Sequence, residues 1–111
     1  MERYTAVTKY IRISPRKARL AAGLIRGLKV EEAELQLQYS GLKAGRLLMK
    51  TLRSATANAE SLGDERREHL VVQEVRVDEG PRLKRSKPRS RGNRHPFLKR
   101  MSHFTVVVAA S

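Results

Sequence analysis

The amino-acid sequence predicts an α+β fold: a small body of three helices packed on a three-stranded antiparallel sheet, with a long basic β-hairpin arm projecting from it. Three observations lead there. Runs rich in β-branched and aromatic residues read as strands at Tyr4 to Ile13, Leu70 to Val77 and Phe104 to Val108. Between the first and second runs, apolar residues recur at helical spacing. The stretch from Gly80 to His103 lies between two strands, yet its large apolar residues are only Leu83, Phe97, Leu98 and Met101, too few for a core. The 111 residues make one domain, 1–111, with the arm at 80–103 inside it.

Each element has a local cause. After the first strand, Ser14-Pro15 gives an N-cap followed by proline at the first helical position, so a helix should run to about Arg26. Leu20 and Leu24, with Ile25 beside them, are expected to face inward, and Gly27 to cap the C-terminus. Glu31, Glu32 and Glu34 open a second helix, where acids suit the positive helix end. Val30, Ala33 and Leu37 form its apolar stripe; Lys29 is a poor cap. Ser40-Gly41 breaks the chain before a third helix, about Leu42 to Ser61. Its apolar face is Leu42, Gly45, Leu48, Met49, Leu52, Ala55 and Ala59, and small alanines at 55, 57 and 59 suit close approach to neighbours. Lys43, Arg46, Lys50 and Arg53 lie roughly opposite, a row that serves equally as a solvated face or as an RNA contact. Gly63-Asp64 ends the helix. In the second strand Val71, Val75 and Val77 share one face, with Val72, Glu74 and Arg76 on the other; in the last, Phe104, Val106 and Val108 alternate inward.

Charge then locates function. Lys and Arg number 24 against 11 acids, a formal charge of +13. Residues 1–29 carry eight basic residues and one acid, residues 30–79 seven and ten, and residues 80–111 nine and none. The middle is balanced and should supply much of the body, while the flanks face a polyanion. The nine cations between Arg82 and Arg100 sit on a hairpin of some ten residues each way, reaching about 30 Å at ~3.3 Å per residue, with Arg91-Gly92-Asn93 as its turn. Pro81, Pro88 and Pro96 suit an irregular two-stranded arm and not a central sheet. An isolated hairpin is marginal in water and like charges weaken it further, so the arm should be mobile alone and ordered by phosphates. Helix one adds a second signal. Arg16, Lys17 and Arg19 crowd its N-terminal end, where cations are unfavourable unless an anion binds the exposed N–H groups.

Other chemistry has little to stand on. With no cysteine there are no disulfides or thiolate ligands, which fits a reducing compartment. His69, His95 and His103 form no metal motif, so neither a metal nor a cofactor is expected. Asp78 and Glu79 point to opposite faces of a strand and serve better as charge balance at the arm's base than as an acid/base pair. Neither a phosphate-binding glycine loop nor a nucleophile elbow occurs, and the chain is not expected to be an enzyme. No secretory segment follows Met1-Glu2-Arg3-Tyr4 and no apolar run approaches the ~20 residues of a membrane span, so a cytosolic protein is the default.

The segments Ile13-Ser14-Pro15-Arg16-Lys17-Ala18-Arg19-Leu20, Ser54 to Glu60 and Val77-Asp78-Glu79-Gly80-Pro81 occur in order. They are followed by Lys84-Arg85, Pro88-Arg89, Arg91-Gly92, Lys99-Arg100, Ser102-His103 and Thr105 to Val108. In this the chain resembles, over nearly its whole length, the bacterial type of the large-subunit ribosomal protein L twenty-two family. The resemblance implies a structural component of the large ribosomal subunit that binds 23S-type ribosomal RNA and supports assembly. It implies RNA contacts at Arg12, Ser14, Arg16, Lys17, Arg19, Lys84, Arg85, Lys87, Arg89, Arg91, Arg94, Lys99, Arg100, Ser102 and His103. It further implies that a hairpin tip of Pro88, Arg89, Ser90, Arg91, Gly92, Asn93 and Arg94 lines the nascent-peptide exit tunnel near a loop of ribosomal protein L four and meets the nascent peptide transiently. Changes around Leu83-Lys84-Arg85 would confer macrolide resistance. The setting would be a ribosome in the cytoplasm or an organelle, with no membrane partner and no homo-oligomer.

Two other classes make different demands. A DNA-bending protein with basic β-arms needs an extensive dimer core and a helical N-terminal half, whereas this chain starts with a strand and shows no exposed apolar dimer face. A cationic membrane-active protein needs Trp or Phe beside its cations on an amphipathic helix; Trp is absent and Phe occurs twice.

Overall fold

Buried Tyr4 and Ala6 alternate with exposed Thr5 and Val7 along the first strand, the two-residue period of a sheet with one covered face. A computed structural model of the chain describes residues 3–80, 83–88 and 94–110. Its elements are β1 (Arg3–Ile11), α1 (Pro15–Ile25), α2 (Val30–Tyr39), α3 (Lys43–Leu62), a short 3-10 turn (Arg67–His69), β2 (Leu70–Glu79), β3 (Leu83–Pro88), β4 (Arg94–Lys99) and β5 (Ser102–Ala110). An antiparallel sheet in the order β1-β5-β2 packs against the three helices, and β3 and β4 form a separate two-stranded ladder. The radius of gyration is 17.0 Å, against roughly 13 Å for a compact chain of this length, so part of the molecule projects.

The core lies between sheet and helices. Phe104, Val106 and Val108 of β5 meet Leu48, Leu52, Ala55 and Ala59 of α3, Val30, Ala33 and Leu37 of α2, and Ile25 of α1. Central β5 is buried on its other face too, through Thr105, Val107 and Ala109, because it has a neighbour on each side. On α3, Leu42 sits outside the helix at 38% exposure and Ala57 is exposed, leaving Gly45 to Ala59 as the buried face. Gly45 allows α3 to pass the end of α2, since a Cβ there would meet the Leu37 carbonyl oxygen at 3.0 Å.

Three expectations are corrected. In β2, Leu70, Val72, Val75 and Val77 are buried and Val71 is not, because a bulge at Gln73 shifts the pairing between Val72 and Glu74 and changes which residues face the core. On α1 the buried face is Ala18, Ala21, Ala22 and Ile25, while Leu20 and Leu24 are 65% and 41% exposed. The cause is side-chain hydrogen bonding as well as size. Arg19 and Arg26 donate to the Val77 and Val75 carbonyls at 3.2 and 2.8 Å, which fixes the helix rotation and turns its alanines to the sheet. Finally, Ser14 holds the N-cap position of α1 in extended conformation, but its hydroxyl makes no cap bond.

Those arginines also cover an edge. β2 has β5 on one side only, and an uncovered strand edge invites misassociation. Val72 is bonded on its free side by Gly27 N–H and the Leu28 carbonyl at 3.0 and 2.8 Å, and Arg26 and Arg19 continue the cover. Gly27 does adopt a left-handed φ of 85°, but its N–H goes to β2 instead of closing the helix.

At the other end of β2 the body gives way to the arm. The β2–β5 ladder ends at Glu79 opposite Ser102, Gly80 N–H bonds the Met101 carbonyl at 2.8 Å, and the arm ladder starts at Leu83 opposite Lys99. Pairing steps by one residue across this joint, so the arm is a second ladder and not a straight continuation of the first. Its register sets Lys84 opposite Leu98, Arg85 opposite Phe97, Lys87 opposite His95 and Arg94 opposite Pro88, so none of these cations directly faces a Lys or Arg. A slip of two residues would set Arg85 opposite Lys99. The expected turn at Arg91-Gly92-Asn93 lies outside the described residues.

Buried Ser102 anchors the joint by donating from Oγ to the Ile13 carbonyl at 2.8 Å, which ties the root of β5 to the start of α1. Ser102→Ala leaves that carbonyl unpaired and is expected to lower the unfolding free energy by about 1–3 kcal/mol in chemical denaturation. An unchanged midpoint would show that the tie contributes nothing.

Candidate nucleic-acid interface

Tying Ile13 to Ser102 gathers three features at one end of the body. The N-terminus of α1, the N-terminus of α3 and the root of the arm open onto one groove of ≈ 940 Å³, lined by Arg12, Ile13, Ser14, Lys17, Leu20, Gly41, Leu42, Lys43, Ala44 and Arg100. Four of these residues are cations and none is an acid. The first turns of α1 and α3 also hold no acid. The positive ends of two helices and formal positive charge therefore border the same space, an arrangement that suits phosphate. Glu31 and Glu32 instead occupy the first turn of α2, and Glu34 pairs with Arg67 on its far side. Lys43, Arg46, Lys50 and Arg53 are all exposed along one face of α3, so a row of cations leads away from the groove.

The residues expected to contact RNA divide accordingly. Arg12, Ser14, Lys17 and Arg100 line the groove, with Arg16 exposed beside it. Arg19 is partly committed to the Val77 carbonyl. Ser102 is buried with its hydroxyl on Ile13, so it holds the root and presents no surface. His103 is half-buried and accepts the Tyr10 N–H on Nδ1 at 3.0 Å. Lys84, Arg85 and Lys87 lie on β3, and Arg94 and Lys99 on β4. Arg89 and Arg91, like Ser90, Gly92 and Asn93 of the expected tip, lie outside the described residues; Pro88 and Arg94 close the described ladder opposite each other. Asp78 and Glu79 are exposed where β2 meets the root.

Lys43, the first of the α3 cations that serve equally as a solvated face or as an RNA contact, lines the groove. The signal was present: α3, like α1, begins with a cation and no acid, and the same anion argument applies to both. Unforeseen is an apolar shelf beside the groove. Leu20, Leu24, Leu35, Tyr39 and Leu42 are all exposed, although Leu20 and Leu24 are expected to face inward. It follows from the rotation of α1, which spends its alanines on the core and leaves its leucines outside.

The cations at the start of α1 oppose the helix dipole when nothing binds them. Arg16→Glu with Lys17→Glu is therefore expected to stabilise the RNA-free protein by roughly 0.3–1 kcal/mol per site at low salt, read from thermal unfolding. Destabilisation would show that these residues serve the fold.

The family model for ribosomal protein L22p/L17e matches residues 6–109 of the chain. Among its relatives, the large ribosomal subunit protein uL22 of Protochlamydia amoebophila is 71% identical over 104 residues, 94% of each chain. The proteins of the same name from Chlamydia pneumoniae and Chlamydia abortus are 62% and 60% identical over 105 residues, 95% of each chain.

Proposed function

The chain belongs to the ribosomal protein L22p/L17e family, and on that premise we propose that its groove and arm bind large-subunit ribosomal RNA and support subunit assembly. It is a structural, non-enzymatic component of the large subunit, with bacterial relatives in the cytoplasmic ribosome. The observation that carries the RNA reading is the groove, where two helix N-termini and the arm root bring Arg12, Lys17, Lys43 and Arg100 together without an acid. Phosphates would neutralise those charges and accept the helix N–H groups, while Arg and Lys along β3 and β4 extend the contact. Of the other RNA-facing candidates, Ser14 lines the groove and Arg16 is exposed on the first turn of α1, while Arg19 reaches the Val77 carbonyl and His103 faces Tyr10.

The arm carries the second half of the proposal. Its tip, at 88–94, lines the nascent-peptide exit tunnel beside a loop of ribosomal protein L four and meets the passing peptide. Changes at Leu83-Lys84-Arg85 then alter the tunnel wall and macrolide sensitivity. Support comes from the family and from the register, which gives the arm its own ladder outside the core. The chain acts as a single copy within the subunit, without a membrane partner; among the described residues no helix is long and apolar enough to cross one.

If ~6–9 phosphates are neutralised, the logarithm of affinity for a large-subunit ribosomal RNA fragment should fall against log salt with a slope of roughly −5 to −8. A slope near −1, or tighter binding to duplex DNA than to the RNA, would overturn the reading. Deleting Leu83 to Arg85 should leave the thermal unfolding transition of the body in place while changing macrolide sensitivity of ribosomes that carry the variant. Loss of the transition would make the arm part of the core.

A further inference from the structure

One residue at the arm root is held in a conformation that nothing in the fold requires of an aromatic. Between Thr8 and Ile11 the β1–β5 pairing breaks its register, and Tyr10 occupies the irregularity with φ of 59°. That is the left-handed region, uncommon for a bulky side chain and costing about 1–3 kcal/mol unless its surroundings impose it. Glycine or asparagine would adopt it with less strain. The surroundings do impose it. Tyr10 N–H donates to His103 Nδ1 at 3.0 Å, and the two rings stand edge to face with centroids 5.1 Å apart and an interplanar angle of 87°. His103 in turn lies close to Gly80, where a side chain would meet its Cε1 at 3.2 Å.

The side chain so held is not buried. Tyr10 is 63% exposed, so the strain and the brace do not serve the core. The other tyrosines differ: Tyr4 is buried, and Tyr39, although 79% exposed, sits at the end of α2 with neither strain nor a ring partner among the described residues. Exposed Lys9 and Arg12 flank Tyr10 in sequence, and Arg100 directly precedes Met101, which pairs with Gly80 at the joint. A rigid, exposed aromatic face among cations is what an unstacked nucleobase takes, with its phosphates on the neighbouring charges.

Resting on the RNA reading above, we propose that Tyr10, braced by His103, is a stacking platform for an unpaired RNA base at the root of the arm. Strain stored in the protein fixes the ring before RNA arrives, so the base meets a preorganised surface. Such a contact adds affinity through the ring face and not through charge, and is tolerant of base identity because every base offers a π-face.

The test uses the full chain and a large-subunit ribosomal RNA fragment at several salt concentrations. Tyr10→Gly removes the ring while relieving the left-handed strain, so thermal unfolding should stay at or above that of the unaltered protein. Its RNA affinity should fall about 5- to 150-fold, the loss of one base–aromatic stack, with the slope against log salt unchanged. Tyr10→Phe, which keeps the ring face, should bind like the unaltered chain. Equal affinity of Tyr10→Gly and the unaltered chain would overturn the platform and leave the cationic groove standing. A loss that comes with a shallower salt slope would overturn it as well, by making Tyr10 a support for phosphate contacts. Failure of the unaltered chain to bind the RNA would remove both readings.

Discussion

The structure depends on holding like charges together. Arg12, Lys17, Lys43 and Arg100 share one groove with two positive helix ends and no acid, and every pair among them repels. At ~8 Å such repulsion amounts to about 0.5–2 kcal/mol per pair, depending on the effective dielectric, and salt reduces it. Burial of one large apolar side chain contributes about 1.5–3 kcal/mol, and Phe104, Ile25, Leu37, Leu48, Leu52 and Leu70 are all fully buried. The core therefore wins, but the cationic end is its standing opponent. A polyanion turns the same charges from a cost into the source of affinity.

What keeps that end in shape is a small set of directed bonds around the arm root. Ser102 to Ile13 joins the root to α1, Gly80 to Met101 closes the joint between the two ladders, and Arg19 to Val77 sets the rotation of α1 beside it. The arginines thus have two uses. Arg19 and Arg26 spend guanidinium hydrogen bonds on the free edge of β2, whereas Arg12, Arg16 and Arg100 stay at the surface. Charge alone does not separate these groups; the carbonyls along the β2 edge do. Tyr10 and His103 belong to the same region and show that the root is built stiffly, since an aromatic is kept at positive φ there.

Most of the architecture was legible in the sequence because it follows from local rules. Ser14-Pro15 marked the start of α1, Val30, Ala33 and Leu37 marked the face of α2, and the balanced middle segment is the helical body. What was not legible arises from contacts distant in sequence. The face of α1 depends on Val75 and Val77, some fifty residues away, and a bulge at Gln73 leaves no signature in the alternation of β2. The site was readable in its charges but not in its assembly. Arg12, Lys17 and Arg100 were apparent and Lys43 stood in a cationic row of open use until the packing of α3 set it in the groove, whereas Tyr10 entered through a backbone angle that no residue count foretells.

One measurement separates a protein built around unbalanced positive charge from one that is merely basic: the unfolding temperature of the RNA-free chain as sodium chloride rises from low to physiological concentration. Screening relieves repulsion within the groove and between groove and arm, so the unfolding temperature should climb over the range in which RNA binding weakens. An unfolding temperature that stays flat or falls would mean that the cations are already balanced within the fold, and would contradict it.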